Sequence, residues 1–281
     1  MSKQKSSPEI ITRLFSDPRL IKKGINPDSQ RYWASIYATE VIAHYKCPVT
    51  DKDNNLATEF LSEWLISDGH FKKWCEAIDS FSVERVATES DNAYNIKTDS
   101  HFDAFNKALE STSTDEVLYA KRLFARSKAD PKSFPVIGSI INFEIPLSDN
   151  SASKNKVEPI ADSIDLVSVS GNTILLLELK QANNDNETLL RCLMESFTYY
   201  HLIKNKATFI NDFVTDTDNK STGIDPQTAD ISICPFVPRA SRAGKQLQEY
   251  LDNNRQYKWL HRLVDIMSQD IKSEVRFSFT D

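Results

Sequence analysis

Three charged residues interrupt an otherwise apolar stretch, IDLVSVSGNTILLLELK, running from Ile164 to Lys180: Asp165, Glu178 and Lys180. Ile164–Ser168 favours a strand, Ser170-Gly171-Asn172 signals a turn, and Thr173–Leu179 is an apolar run of strand length. Side chains two apart on a strand share a face, so Glu178 and Lys180 project together with Ile174 and Leu176. Folding about Gly171 brings Asp165 toward that pair. Carboxylates and an ammonium are costly to bury unless each is paired or bound to a metal. Two acids and one amine at an apolar edge suit a divalent cation with a cationic helper.

Asp165, followed by Glu178-Leu179-Lys180, resembles the signature of the PD-(D/E)XK nuclease superfamily, although Ile164 stands where many members have proline. The resemblance implies that Asp165 and Glu178 hold Mg²⁺, with Mn²⁺ as a substitute, and that the Leu179 carbonyl adds a ligand. It implies that Lys180 orients or deprotonates the attacking water. It also implies a metal-facing role for Glu116, since many members carry an acid on the helix before the sheet. Ser113 and Glu116 are equally spaced as a capping box, which would explain Glu116 structurally. Asp162 competes with Asp165 but has the opposite strand parity. Glu144 is a further candidate helper. Glu195-x-x-x-Tyr199 resembles the Gln-x-x-x-Tyr of the exonuclease branch, with Glu replacing Gln. Arg191, one turn earlier, is then the candidate phosphate contact.

The elements that must position these groups read as follows. A helix begins near residue 28, with Trp33, Ile36, Tyr37, Val41, His44 and Tyr45 on one face. Residues 57–67 and 70–81 repeat the pattern, and the three tryptophans Trp33, Trp64 and Trp74 read as helical core. Helices are expected at 101–110 and 115–128, then a strand at 134–147 bent at Gly138. After the hairpin come a helix over 187–204, a polar insertion, a buried strand at 231–237 carrying Pro235, and one long helix over about 241–267. VRFSF near the end alternates as a strand does. From residue 113 the order is helix, three strands, helix, strand. The resembled superfamily has that α-β-β-β-α-β core, here over roughly residues 111–240. The expected fold is thus α/β (α+β), restriction-endonuclease-like, with a helical region over 1–110 and a nuclease-like domain over 111–281.

Composition narrows the functional classes. No apolar run reaches the ~18–20 residues of a membrane span. MSKQKSSPEI holds no hydrophobic signal region, and Cys47, Cys75, Cys192 and Cys234 show no metal-finger spacing, so a reduced, cytoplasmic protein is expected. The net charge of −6 disfavours a nonspecific nucleic-acid coat protein but leaves room for a local basic groove. Lys121, Arg122, Arg126, Lys128 and Lys132, with Lys154 and Lys156, are the candidate phosphate contacts. The expected activity is metal-dependent phosphodiester hydrolysis, on DNA in preference to RNA. The N-terminal helices are the expected surface for a protein partner or a second copy. Two other readings stand beside it: a nuclease-fold scaffold without activity, and an assembly protein whose Glu-x-Lys is coincidental.

Overall fold

The computed structural model describes residues 29–38, 54–81, 83–84, 116–149, 163–180, 187–204, 224–225, 228–252 and 255–281. The expected helix at 101–110, the second half of the helix from 28, Ser113, Lys154, Lys156 and Asp162 lie outside the described residues. Seven α-helices are described: α1 (Gln30–Ala34), α2 (Asn54–Ile66), α3 (His70–Asp79), α4 (Glu116–Ala129), α5 (Leu189–Ile203), α6 (Arg242–Leu251) and α7 (Lys258–Ile271). They surround a mixed five-stranded sheet of β1 (Ser139–Pro146), β2 (Ser163–Ser170), β3 (Thr173–Leu179), β4 (Asp230–Val237) and β5 (Ser278–Phe279), in that spatial order. Val83–Glu84 and Ser148–Asp149 form a separate short ribbon.

β1, β2 and β3 are a meander of antiparallel pairs. Ser170 pairs with Thr173 across a two-residue loop, and Gly171 supplies the positive φ (63°) that such a turn requires. α5 then crosses over the sheet, so that β4 runs parallel to β3. β3 is buried along its whole length, as a strand covered on both faces must be. Ile174 and Leu176 join Val167 and Val169 in the core beneath α5, which contributes Leu190, Leu193 and Phe197. Leu175, Leu177 and Leu179 face the other way, with Leu166, Phe236 and the α4 residues Ala120, Leu123 and Phe124. The strand expected over 134–147 begins only at Ser139: residues 135–137 form a turn that ends at Gly138, whose φ is 72° and where a Cβ would collide with the Val169 carbonyl. Pro235 pairs with Glu178 on one side, while the ladder to β5 begins only at Phe236, so the missing N–H interrupts no β5 rung.

The helices before the sheet share its core. Trp74 of α3 is fully buried and packs 5.3 Å from Phe197 of α5, and Leu61 and Leu65 of α2 belong to the same cluster. Glu59 of α2 accepts from the backbone N–H groups of Trp259 and Leu260, satisfying orphan donors at the start of α7. Two further expectations need correction. The long helix at 241–267 is two helices, α6 and α7, broken after Leu251 and rejoined through the 3₁₀ turn Arg255–Tyr257. The first helix is short, passing at Ser35 into a 3₁₀ turn at Ile36–Ala38.

Candidate active site

The hairpin register assembles the site. Leu166 lies opposite Leu177, so one step further sets Asp165 opposite Glu178. Parity puts Asp165 on the face of Val167 and Val169, the side that Glu178 shares with Leu176. Asp165 Oδ2 accepts the backbone N–H of Leu179 at 2.7 Å, which pins the carboxylate at the mouth of the hairpin. Lys180 follows immediately, only 4% exposed, with its Nζ in direct contact with Glu178 Oε1.

α5 closes the site with one row of side chains. Thr188, through its hydroxyl, caps the helix by accepting from Arg191 N at 3.1 Å. Glu187, Arg191, Glu195 and Tyr199 follow at four-residue spacing and therefore line one side of the helix. Glu187 and Glu195 reach Lys180 Nζ at 3.0 and 3.4 Å. Arg191 bridges the same two acids, at 2.7 Å to Glu187 and 3.2 Å to Glu195. Tyr199 donates its hydroxyl to Glu178 Oε2 at 2.6 Å. The guanidinium expected to meet phosphate is thus committed to two carboxylates. Glu187 is the site residue absent from the sequence reading, and its four-residue spacing to Arg191 was the available signal; Glu195 and Tyr199 belong to the Glu-x-x-x-Tyr read there.

Glu116 stands at the start of α4, interacting electrostatically with Lys180, Glu187 and Glu195, and its Oε1 is buried with no hydrogen-bond partner among the described residues. Glu144 accepts from Ser163 Oγ at 3.2 Å and has a left-handed backbone, φ 48°. Lys121 and Arg122 on α4 are half-buried, whereas Arg126, Lys128 and Lys132 are exposed.

Charge is unbalanced here. Among the described residues, five carboxyl groups (Glu116, Asp165, Glu178, Glu187, Glu195) surround two cations, Lys180 and Arg191. Burial, then the neighbouring Asp165 and Glu195, push Glu178 well above the carboxylate range. Burial would raise Glu195 too, but Lys180 and Arg191 outweigh it and hold this carboxyl at about 2. Burial alone would lower Lys180; Glu178, Glu195 and Glu187 more than reverse that and fix it as an ammonium. Asp165 is pushed up from 3.8 to about 8, chiefly by burial and against the attraction of Lys180.

The donors suit a hard divalent cation. An acid-rich cluster short of positive charge, with an orphaned Glu116 oxygen beside it, must take up either protons or a metal. Among the described residues no three His, Cys, Asp or Glu side chains form a ready-made cage. Magnesium does not need one, since it keeps several waters and takes one or two carboxylates.

A pH dependence follows. The folded value of Asp165 lies above its unfolded one, so its contribution to stability is complete below 3.8 and is lost as pH rises through about 8. The contribution of Asp165 to the melting temperature of the metal-free protein should therefore fall across that interval, read as the difference from Asp165→Asn. Mg²⁺ should recover more of the melting temperature at the alkaline end, read by thermal unfolding with and without the ion.

Comparison with family models, curated proteins and solved structures returns no match to this chain.

Proposed function

We propose that this protein is a Mg²⁺-dependent nuclease of the PD-(D/E)XK type, built on a restriction-endonuclease-like core and hydrolysing phosphodiester bonds of DNA. The observation that carries this reading is the convergence of Asp165, Glu178 and Lys180 at one end of the β2–β3 hairpin. The order α4-β1-β2-β3-α5-β4 supports it, as does the parallel β4 reached by the α5 crossover.

Asp165 and Glu178 would hold the metal, with the Leu179 carbonyl as a further ligand. When bound, the ion supplies a more acidic water and neutralises the scissile phosphate. The chain's own residues do the rest. The Leu179 N–H fixes the Asp165 rotamer, and the Tyr199 hydroxyl fixes Glu178. Lys180, held as an ammonium, orients the water and offsets charge on the phosphorane-like transition state. Glu116 is poised to accept from a metal-bound or attacking water. Arg126, Lys128 and Lys132 offer phosphate contacts from the exposed side of α4 and the turn after it.

The full-length protein should cleave plasmid or linear DNA when supplied with Mg²⁺ or Mn²⁺, and calorimetric titration should detect Mn²⁺ binding without DNA. Metal binding without cleavage of DNA or RNA would overturn the nuclease assignment. A second reading is a nuclease-fold scaffold, favoured by the engagement of Lys180 with three carboxylates. It predicts neither metal binding nor turnover.

A further inference from the structure

At the other end of α5, away from the carboxylate cluster, a buried histidine lies among three charged groups from three helices. His201 is 1% exposed in its side chain. Its Nε2 is 3.0 Å from Asp270 Oδ2 on α7. Its Nδ1 has two competing partners, Asp79 Oδ1 of α3 at 2.8 Å and Lys204 Nζ at 2.8 Å. Lys204 Nζ also lies 3.1 Å from Asp79 Oδ1.

An ammonium can only donate, so Lys204 can bond Nδ1 only while that nitrogen keeps its lone pair. The ring is then neutral, with its proton on Nε2 and donated to Asp270, and Lys204 bridges Nδ1 to Asp79. In that state Lys204 and Asp270 are satisfied, while the 2.8 Å approach of Asp79 Oδ1 to Nδ1 carries no hydrogen bond. Adding a proton to Nδ1 reverses the arrangement. The new N–H already has Asp79 in range as an acceptor, while Lys204 faces a like charge at hydrogen-bond distance. We propose that His201, Asp79, Asp270 and Lys204 form a proton-operated clamp joining α3, α5 and α7, in which protonation of the ring exchanges Lys204 for Asp79 and releases the lysine toward solvent.

Among the described residues, the other titratable groups facing the clamp are Cys75 of α3, which interacts with Asp270, Lys204 and Asp79, and Tyr200 of α5, which interacts with Asp270 and Asp79. The Tyr200 ring lies 5.8 Å from the lysine amine and offers a cation–π surface beside it. Burial pulls His201 below its usual 6.5, Asp79 opposes this and Lys204 adds to it. A lowered folded value means the clamp stabilises fully above 6.5 and weakens as pH falls through the folded midpoint. This device stands independently of the nuclease reading.

The test is NMR of ¹⁵N-histidine-labelled full-length protein, with His201→Gln assigning the signal by its loss. The expected result is an Nε2–H tautomer at pH ~7.5 and a midpoint below the ordinary histidine value. Lys204→Met removes the competing cation and should shift that midpoint upward. Lys204 is 19% exposed in its side chain, and methionine keeps the length of its apolar stem. Should His201→Gln fail to fold, loss or displacement of a single histidine signal in Lys204→Met supplies the assignment. An Nδ1–H tautomer at neutral pH, or an unmoved midpoint in Lys204→Met, would overturn the clamp.

Discussion

Asp165→Asn should abolish Mg²⁺-dependent cleavage while making the metal-free protein more stable. The amide oxygen can still accept from Leu179 N–H, which the carboxylate does at 2.7 Å, so the hairpin mouth keeps its geometry. What disappears is a carboxyl that the fold accommodates near neutral pH only by taking up a proton. Removing a group that stabilises charge in the transition state lowers kcat by roughly 10²–10³-fold, and losing a metal ligand as well should deepen this. Stability should move the opposite way, because burial has pushed the Asp165 carboxyl to about 8 and its ionisation opposes folding near neutral pH. The substitution should also flatten the fall in melting temperature between weakly acidic and weakly alkaline buffer. Thermal unfolding without metal and a cleavage assay with it, on the same preparation, read both effects. A variant both inactive and less stable would show that Asp165 holds the fold together and is not a charge kept for a ligand.

That site was legible in the sequence because short-range geometry decides it. Ser170-Gly171-Asn172 fixes a two-residue turn, the turn fixes the register, and strand parity then sends Asp165 and Glu178 to the same side. Lys180 is carried along two residues later. The contribution of α5 was not legible in the same way. Four-residue spacing shows that Glu187, Arg191, Glu195 and Tyr199 form a row, but only the packing of α5 over β3 aims that row at Lys180 and Glu178. Arg191 illustrates the consequence. Taken alone it is a cation available to phosphate; in the fold it is bracketed by two acids. The break between α6 and α7 was missed because helical apolar spacing continues on both sides of it. Leu247 and Tyr250 precede the break, and Leu260, Leu263 and Val264 follow it. Trp74 was readable as core from its helical stripe, but its partner, Phe197, is more than a hundred residues away and had no local signal.

Loss of Arg191 should severely destabilise the metal-free fold. Its guanidinium lies within 3.2 Å of both Glu187 and Glu195, and all three side chains are largely buried. Arg191→Met keeps the length and apolar stem but leaves two acids with Lys180 as their only cation among the described contacts. Breaking a buried pair by removing one partner typically costs about 3–5 kcal/mol, and denaturant unfolding should show a loss of that order. The loss should be larger at alkaline than at acidic pH, since without the guanidinium the two carboxyls can relax only by taking up protons. Adding Glu187→Gln and Glu195→Gln to Arg191→Met should return most of the stability, because the buried charge goes with its partner. Arg191→Lys should rescue only in part, since one ammonium cannot reproduce a planar fork that serves two acids. If Arg191→Met unfolds at the same denaturant concentration as the parent at every pH, the row on α5 is a solvated face, and the electrostatic account of this site fails with it.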